Sequence, residues 1–182
     1  MDGFGIVEGR GPNMQLASGK PFFPLDPRPD EIEIDDIAIA LSRICRFGGH
    51  TTTFYSVAEH SILVSLLVPD EHRLTALLHD ATEAYIGDMI RPLKSQIPQF
   101  SEIENNLWGA IAERFSLPVE MPSCVKEADV LSLAIEKRDV MAEPIGVDWG
   151  TLPSAPNIST SWSLRAGSAK EFLLHFYKYG GK

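Results

Sequence analysis

The chain has 182 residues, 44% of them apolar and 23% charged, which excludes an intrinsically disordered chain and supports one domain with a buried core. Sixteen Lys and Arg against 25 Asp and Glu give a formal charge of -9, a balance that repels a phosphate backbone and disfavours duplex binding. Mean hydropathy is -0.04, and no apolar run approaches the roughly 18 residues of a spanning helix; the longest, Ile62 to Val68, is broken by Ser65.

The opening residues, MDGFGIVEGRG, lack the cationic start and apolar block of a signal peptide, so a cytoplasmic protein is expected. Residues 1–20 carry five glycines and no periodicity, and read as a flexible lead-in to a domain over 21–182, with Met14 as an alternative start. Residues 21–30, PFFPLDPRPD, hold four prolines and read as extended. Helical signals follow. Asp35 and Asp36 open a periodic run through Ile37, Leu41 and Ile44, where acidic residues suit the helix dipole. Capping boxes at Ser56–Glu59, Ser101–Glu104 and Ser168–Glu171 each precede an apolar-periodic segment. Asp70 is expected to cap one helix through EHRLTALLHDATEAYIG, and Ser123 to open a long one through VKEADVLSLAIEKRDVMA. The segment from Pro144 to Ser163, with Pro153, Pro156, Trp149 and Trp162, reads as a long loop of the kind that is functional or covered by aromatics. The expected fold is all-α, a single bundle of about six or seven helices. Cys45 and Cys124 form no CxxC and read as reduced residues without a chemical role.

Chemistry gathers at Leu77-Leu78-His79-Asp80-Ala81-Thr82-Glu83. On one helix, His79, Asp80 and Glu83 fall within a turn of each other among Leu74, Leu77, Leu78, Ala81 and Ala84. A lone His79 would read as a satisfied core histidine, and Asp80–Glu83 as a solvated face. Neither reading explains charge on an apolar side, because unpartnered burial costs several kcal/mol. His60 has Val57, Leu63, Val64 and Leu67 at helical spacing and points inward, while Glu59 is most simply the capping residue. Asp129 lies on the stripe of Val125 and Leu133. His60, His79, Asp80 and Asp129 together offer two imidazoles and two carboxylates, a set suited to Zn, Mn, Fe, Co or Ni. His50, His72 and His175 form no second such pair, which favours one divalent metal over two. Glu83 lies one turn from two of the ligands and is the candidate to accept a proton from water.

In this order the residues resemble the H…HD…D signature of HD-domain metal-dependent phosphohydrolases. The likeness is closest to a bacterial and phage 5′-deoxynucleotidase-like branch. Its Arg-aromatic pair, EHS helix, HDxxExxxGD, Pro-x-Lys and late KxAD read here as Arg46-Phe47, SVAEHS (56–61), HDATEAYIGD (79–88), RPLK (91–94) and KEAD (126–129). The resemblance implies an HD helical bundle that hydrolyses a (deoxy)nucleotide phosphoester, most simply a deoxynucleoside monophosphate to deoxynucleoside and phosphate. It implies that Asp88 positions or protonates around the leaving oxygen, that Arg46, Arg91 and Lys94 neutralise phosphate, and that Phe47 faces the sugar or base. Two departures stand out. Phe47 replaces a frequent Trp that helps exclude ribose, and Arg91 replaces a small hydroxyl residue, which suits a longer polyphosphate. The alternatives are a dNTP triphosphohydrolase, a (p)ppGpp or cyclic-nucleotide hydrolase on the same scaffold, and a non-catalytic metal- and nucleotide-binding sensor. A small nucleotide is the expected partner, with neither nucleic acid nor membrane, and a homodimer is left open.

Overall fold

Eight α-helical segments and three 3₁₀ turns make up about half of the described chain, and α2 (Val57–Leu66) organises the others. The structure, a computed structural model, describes residues 6–7, 9–146, 148–160 and 169–182. Ser56 and Glu59 form the expected capping box: the Ser56 hydroxyl accepts from the Glu59 N–H, and the Glu59 carboxylate accepts from the Ser56 N–H at 2.8 Å. Eight residues of α2 are buried, so this helix is enclosed on every side rather than amphipathic. Around it pack α1 (Ile34–Leu41), α3 (Arg73–Leu78), α7 (Ser123–Asp139) and α8 (Ala169–Lys178). Asp35 and Asp36 occupy the first turn of α1, as expected from the dipole. The core joins Ile37, Leu41, Ile62 and Leu77 to Phe172 and Phe176 of α8 and to Leu107 and Ile111 of α6 (Pro98–Phe115).

The single helix expected after Asp70 is divided. A 3₁₀ turn over Asp70–His72 leads into α3, which stops at Leu78, and α4 (Glu83–Ile86) begins five residues later. Asp70 provides no side-chain cap and instead pairs with Arg73 at 2.9 Å. Between the two helices the backbone bonds are of the tighter i→i−3 kind, Ala81 to Leu78 and Glu83 to Asp80. A second departure concerns Ser101. Helix α6 starts at Pro98, whose fixed φ suits a first helical position, so Ser101 and Glu104 lie inside the helix and form no cap. Ser123 is the first residue of α7 but likewise makes no side-chain cap bond. Ser168 lies outside the described residues, as do Trp162 and Ser163; the described part of 144–160 has no regular helix or strand, as expected.

The N-terminal segment carries strands beside the expected helices. Strands β1 (Ile6–Val7) and β2 (Gly11–Pro12) pair antiparallel, and so do β3 (Met14–Gln15) and β4 (Pro21–Phe22). The fold is therefore mostly helical with two short hairpins, and residues 9–20 are not a loose lead-in. Gly19, at φ 85, supplies a turn that other residues resist, so its glycine marks a hairpin. Leu16 joins the core, and the Ser18 N–H and hydroxyl both donate to buried Asp36 at 2.8 Å. Arg10 binds Asp26 and Glu31 across the second hairpin. None of the described helices is long and apolar enough to cross a membrane. Leu16→Ala should cost about 2–3 kcal/mol in a urea unfolding titration, the lower part of the usual range for a buried leucine. A value near zero would return this segment to the status of a lead-in.

Candidate metal centre

Three helices deliver the inward-facing ligand candidates to one point. Helix α2 carries His60, with no exposure at all; the end of α3 carries His79 and Asp80; α7 carries Asp129. One ligand atom each of His60, His79 and Asp129 lie within 4.8 Å of one another. The two imidazole Nε2 atoms are 3.2 Å apart, and Asp80 Oδ2 lies 3.3 Å from each of them. Asp129 Oδ1 is 3.3 Å from His60 Nε2. Ligand atoms about 2.1 Å from a shared ion stand about 3.0–3.4 Å apart at octahedral or tetrahedral angles, so these spacings fit a divalent transition metal. Among the described residues no second group of this kind occurs.

The imidazoles are held in the tautomer that such an ion requires. His60 Nδ1–H donates to Glu136 Oε1 at 2.7 Å, and His79 Nδ1–H donates to the Ala76 carbonyl at 2.7 Å. Both Nε2 atoms therefore face the centre. Glu136 has no exposure; Arg46 pairs with it at 3.3 Å and reaches Asp80 at 3.5 Å. Ser132 Oγ lies 3.3 Å from His60 Nδ1 and donates to the Asp129 carbonyl.

Charge is unevenly distributed. Asp80, Glu83, Asp88 and Glu136 surround one buried guanidinium, Arg46, while Asp129 faces His60. Burial opposes ionisation of Asp80, but His79, His60 and Arg46 outweigh it and hold its pKa well below the carboxylate range. Asp129 is lowered to about 2 against burial by His60, and Glu136 is lowered against burial by His60 and Arg46. Burial would lower the His60 pKa, and Arg46 adds to that; Glu136, Asp129 and Asp80 raise it well above its usual value. Glu83 goes the other way. Burial, then Asp80 and Asp88, push it up to about 10, and its Oε2 is buried without a hydrogen-bond partner. Burial also raises Asp88, opposed by Arg46. A cluster so rich in acids and lone pairs has the electrostatics of a cation site.

The remaining candidates divide into two sets. In the tight turn after Leu78, positions three apart nearly eclipse, which sets Glu83 over Asp80. Gly87, at φ 78 and ψ 163, adopts a conformation essentially restricted to glycine and returns the chain so that Asp88 accepts the Phe47 backbone N–H. Phe47 itself is left-handed at φ 54, its ring 5.2 Å from the Arg46 guanidinium and 5.6 Å from Trp149. Arg91, mostly exposed on α5 (Arg91–Lys94), comes within 3.9 Å of Asp129. Lys94 is engaged elsewhere: its ammonium donates to Glu104 of α6 at 2.7 Å, which favours its ordinary role as a helix-to-helix tie. Glu136 was not foreseen from the sequence. Its signal is the spacing Val125, Asp129, Ser132, Glu136, one face of a 3.6-residue helix.

Protein purified without chelator should hold about one equivalent of transition metal, and His79→Ala should lose it. Glu136→Gln should weaken Co²⁺ binding about 10–100-fold by titration calorimetry, the usual effect of losing a carboxylate behind a ligating histidine. Unchanged affinity would leave Glu136 a purely structural acid.

No family model matches the chain. It is 45% identical over 143 residues to the uncharacterized protein YfdR of Escherichia coli (strain K12), covering 79% of this chain and 80% of that one. It is 40% identical over 140 residues to an uncharacterized protein of Rhodobacter capsulatus, covering 69% and 71% respectively. At that identity and coverage, the chain belongs to the family of YfdR.

Proposed function

We propose that this chain is an HD-domain, metal-dependent phosphohydrolase of the cytoplasmic nucleotide pool, converting a deoxynucleoside 5′-monophosphate to deoxynucleoside and phosphate. The observation that carries this reading is the meeting of two Nε2 atoms, Asp80 and Asp129 beside a buried carboxyl, Glu83, whose Oε2 makes no hydrogen bond. His60, His79, Asp80 and Asp129 would hold a divalent transition metal, whose positive charge would polarise a phosphoryl oxygen, acidify a water and lower the raised Glu83 pKa. Glu83 accepts the proton of the water that adds to phosphorus. The bond from phosphorus to the 5′ oxygen breaks, and that oxygen takes a proton, for which Asp88 is the raised carboxyl nearest in the chain. Arg46 balances Asp80 and Glu136, and Arg91 is the exposed cation at the rim that meets phosphate charge.

A panel of dNMPs, dNTPs, NMPs and ppGpp with Co²⁺, Mn²⁺ or Mg²⁺ tests the reading, with orthophosphate from a dNMP as the expected product. Tripolyphosphate from a dNTP or pyrophosphate from ppGpp would move the activity to those substrates. Metal binding with no turnover of any would favour a sensor. In the active pairing, Glu83→Gln should keep its metal and bind nucleotide while turnover falls roughly 10²–10⁴-fold. Undiminished turnover assigns Glu83 to structure.

Substrate length rests on Arg91, because Lys94 is already paired with Glu104. Arg91→Ala should affect dAMP and dATP equally, or neither, if one phosphate is bound. Selective loss of dATP hydrolysis would make this a polyphosphate site.

A further inference from the structure

The described part of the loop 144–160 lacks regular structure, yet side chains at the C-terminal end of α7 hold it in place. Lys137 Nζ donates to Asp148 Oδ1 at 2.5 Å, and that same oxygen accepts the Trp149 N–H at 2.7 Å. Arg138 donates to the Pro156 and Ile158 carbonyls, and Asp139 accepts the Thr160 N–H at 2.9 Å. These three consecutive residues continue the helix that carries Asp129 and Glu136. What the ties position is one large aromatic side chain. The Trp149 ring meets Phe47 at 5.6 Å with the planes 50° apart, so the two rings form a corner instead of a closed stack. Phe47 sits 5.2 Å from the guanidinium that pairs with Asp80, and its N–H is bound by Asp88. The corner therefore lies one side chain away from the candidate metal centre.

Resting on the phosphohydrolase reading above, we propose that Trp149 is a specificity-determining residue that stacks the nucleobase of the bound nucleotide, with Phe47 closing the corner toward the sugar. Every base offers a π-face to an indole, whereas phosphate and sugar do not. Loss of one stacking ring typically weakens binding about 5- to 150-fold. The effect falls on recognition and not on the reacting atoms, because Trp149 belongs to a segment apart from the acids that handle protons.

The test compares Trp149→Ala and Trp149→Phe with the unaltered protein, using dAMP and the base-free analogue 2-deoxyribose 5-phosphate. Trp149→Ala should raise KM for dAMP about 10- to 100-fold with kcat within about threefold, and Trp149→Phe should restore most of it. KM for deoxyribose 5-phosphate should not move, and the metal content of all three proteins should stay equal. A parallel shift with both compounds, or with neither, overturns the assignment. A binding measurement separates this from the reaction: dAMP should quench tryptophan emission in the unaltered protein and much less in Trp149→Phe. Quenching that depends on Trp149 without turnover would sink the hydrolase and leave the stacking site. Turnover with emission unaffected by dAMP would do the reverse.

Discussion

The hydrogen bond between His60 Nδ1 and Glu136 Oε1, 2.7 Å long and wholly removed from solvent, is the contact on which the rest of this structure depends. Neither partner tolerates burial by itself, and removing one would strand the other as an uncompensated buried group. The pair joins the central helix α2 to α7. Sliding either helix by one turn, about 5.4 Å, would break it, so it sets their register as apolar packing alone would not. It also sets chemistry, because binding Nδ1 to Glu136 turns Nε2 toward His79, Asp80 and Asp129. Arg46 completes the unit by reaching both Glu136 and Asp80, so that packing and site geometry share the same bonds.

That arrangement sets four similar acids in different environments. Asp80, Asp129 and Glu136 each face an imidazole or the guanidinium, and their pKa values fall despite burial. Glu83 faces acids, and its pKa rises to about 10. Environments that drive the pKa values of like groups apart separate candidate ligands from a candidate proton carrier. A cation held at the centre would act on both sets, strengthening ionisation of the low group and relieving the repulsion that raises Glu83.

What the sequence disclosed follows from how local each signal is. The Ser56–Glu59 box is decided within four residues, and it appears as written. His60, His79 and Asp129 stand out because charge or imidazole among apolar neighbours is costly, so the pattern itself calls for a partner. Glu136 hides in Glu-Lys-Arg-Asp, which looks like a solvated helix end; only its spacing from Asp129 discloses it. Lys94 looked free because its partner, Glu104, lies ten residues away on another helix. The division after Leu78 is a tertiary outcome. Local propensity favours continuing, while the His79 ring bonds back to the Ala76 carbonyl and the chain tightens there. Strands of two residues are too short for an alternating pattern, so both hairpins went unseen.

Those hairpins matter because α4 is a single turn, far too short to hold itself in water. Its support comes from outside: Tyr85 is buried in a stack with Phe22 of β4, ring centroids 4.1 Å apart, and α1 packs along it. The Ser18 bonds to Asp36 fasten the same hairpin to α1 from the other side. Glu83, two residues before Tyr85, has no hydrogen bond on Oε2 to locate its carboxyl. Packing must therefore do what bonding does for His60. An acid of strongly raised pKa is thus kept in position by an aromatic stack at the edge of the segment whose composition suggested a lead-in without structure.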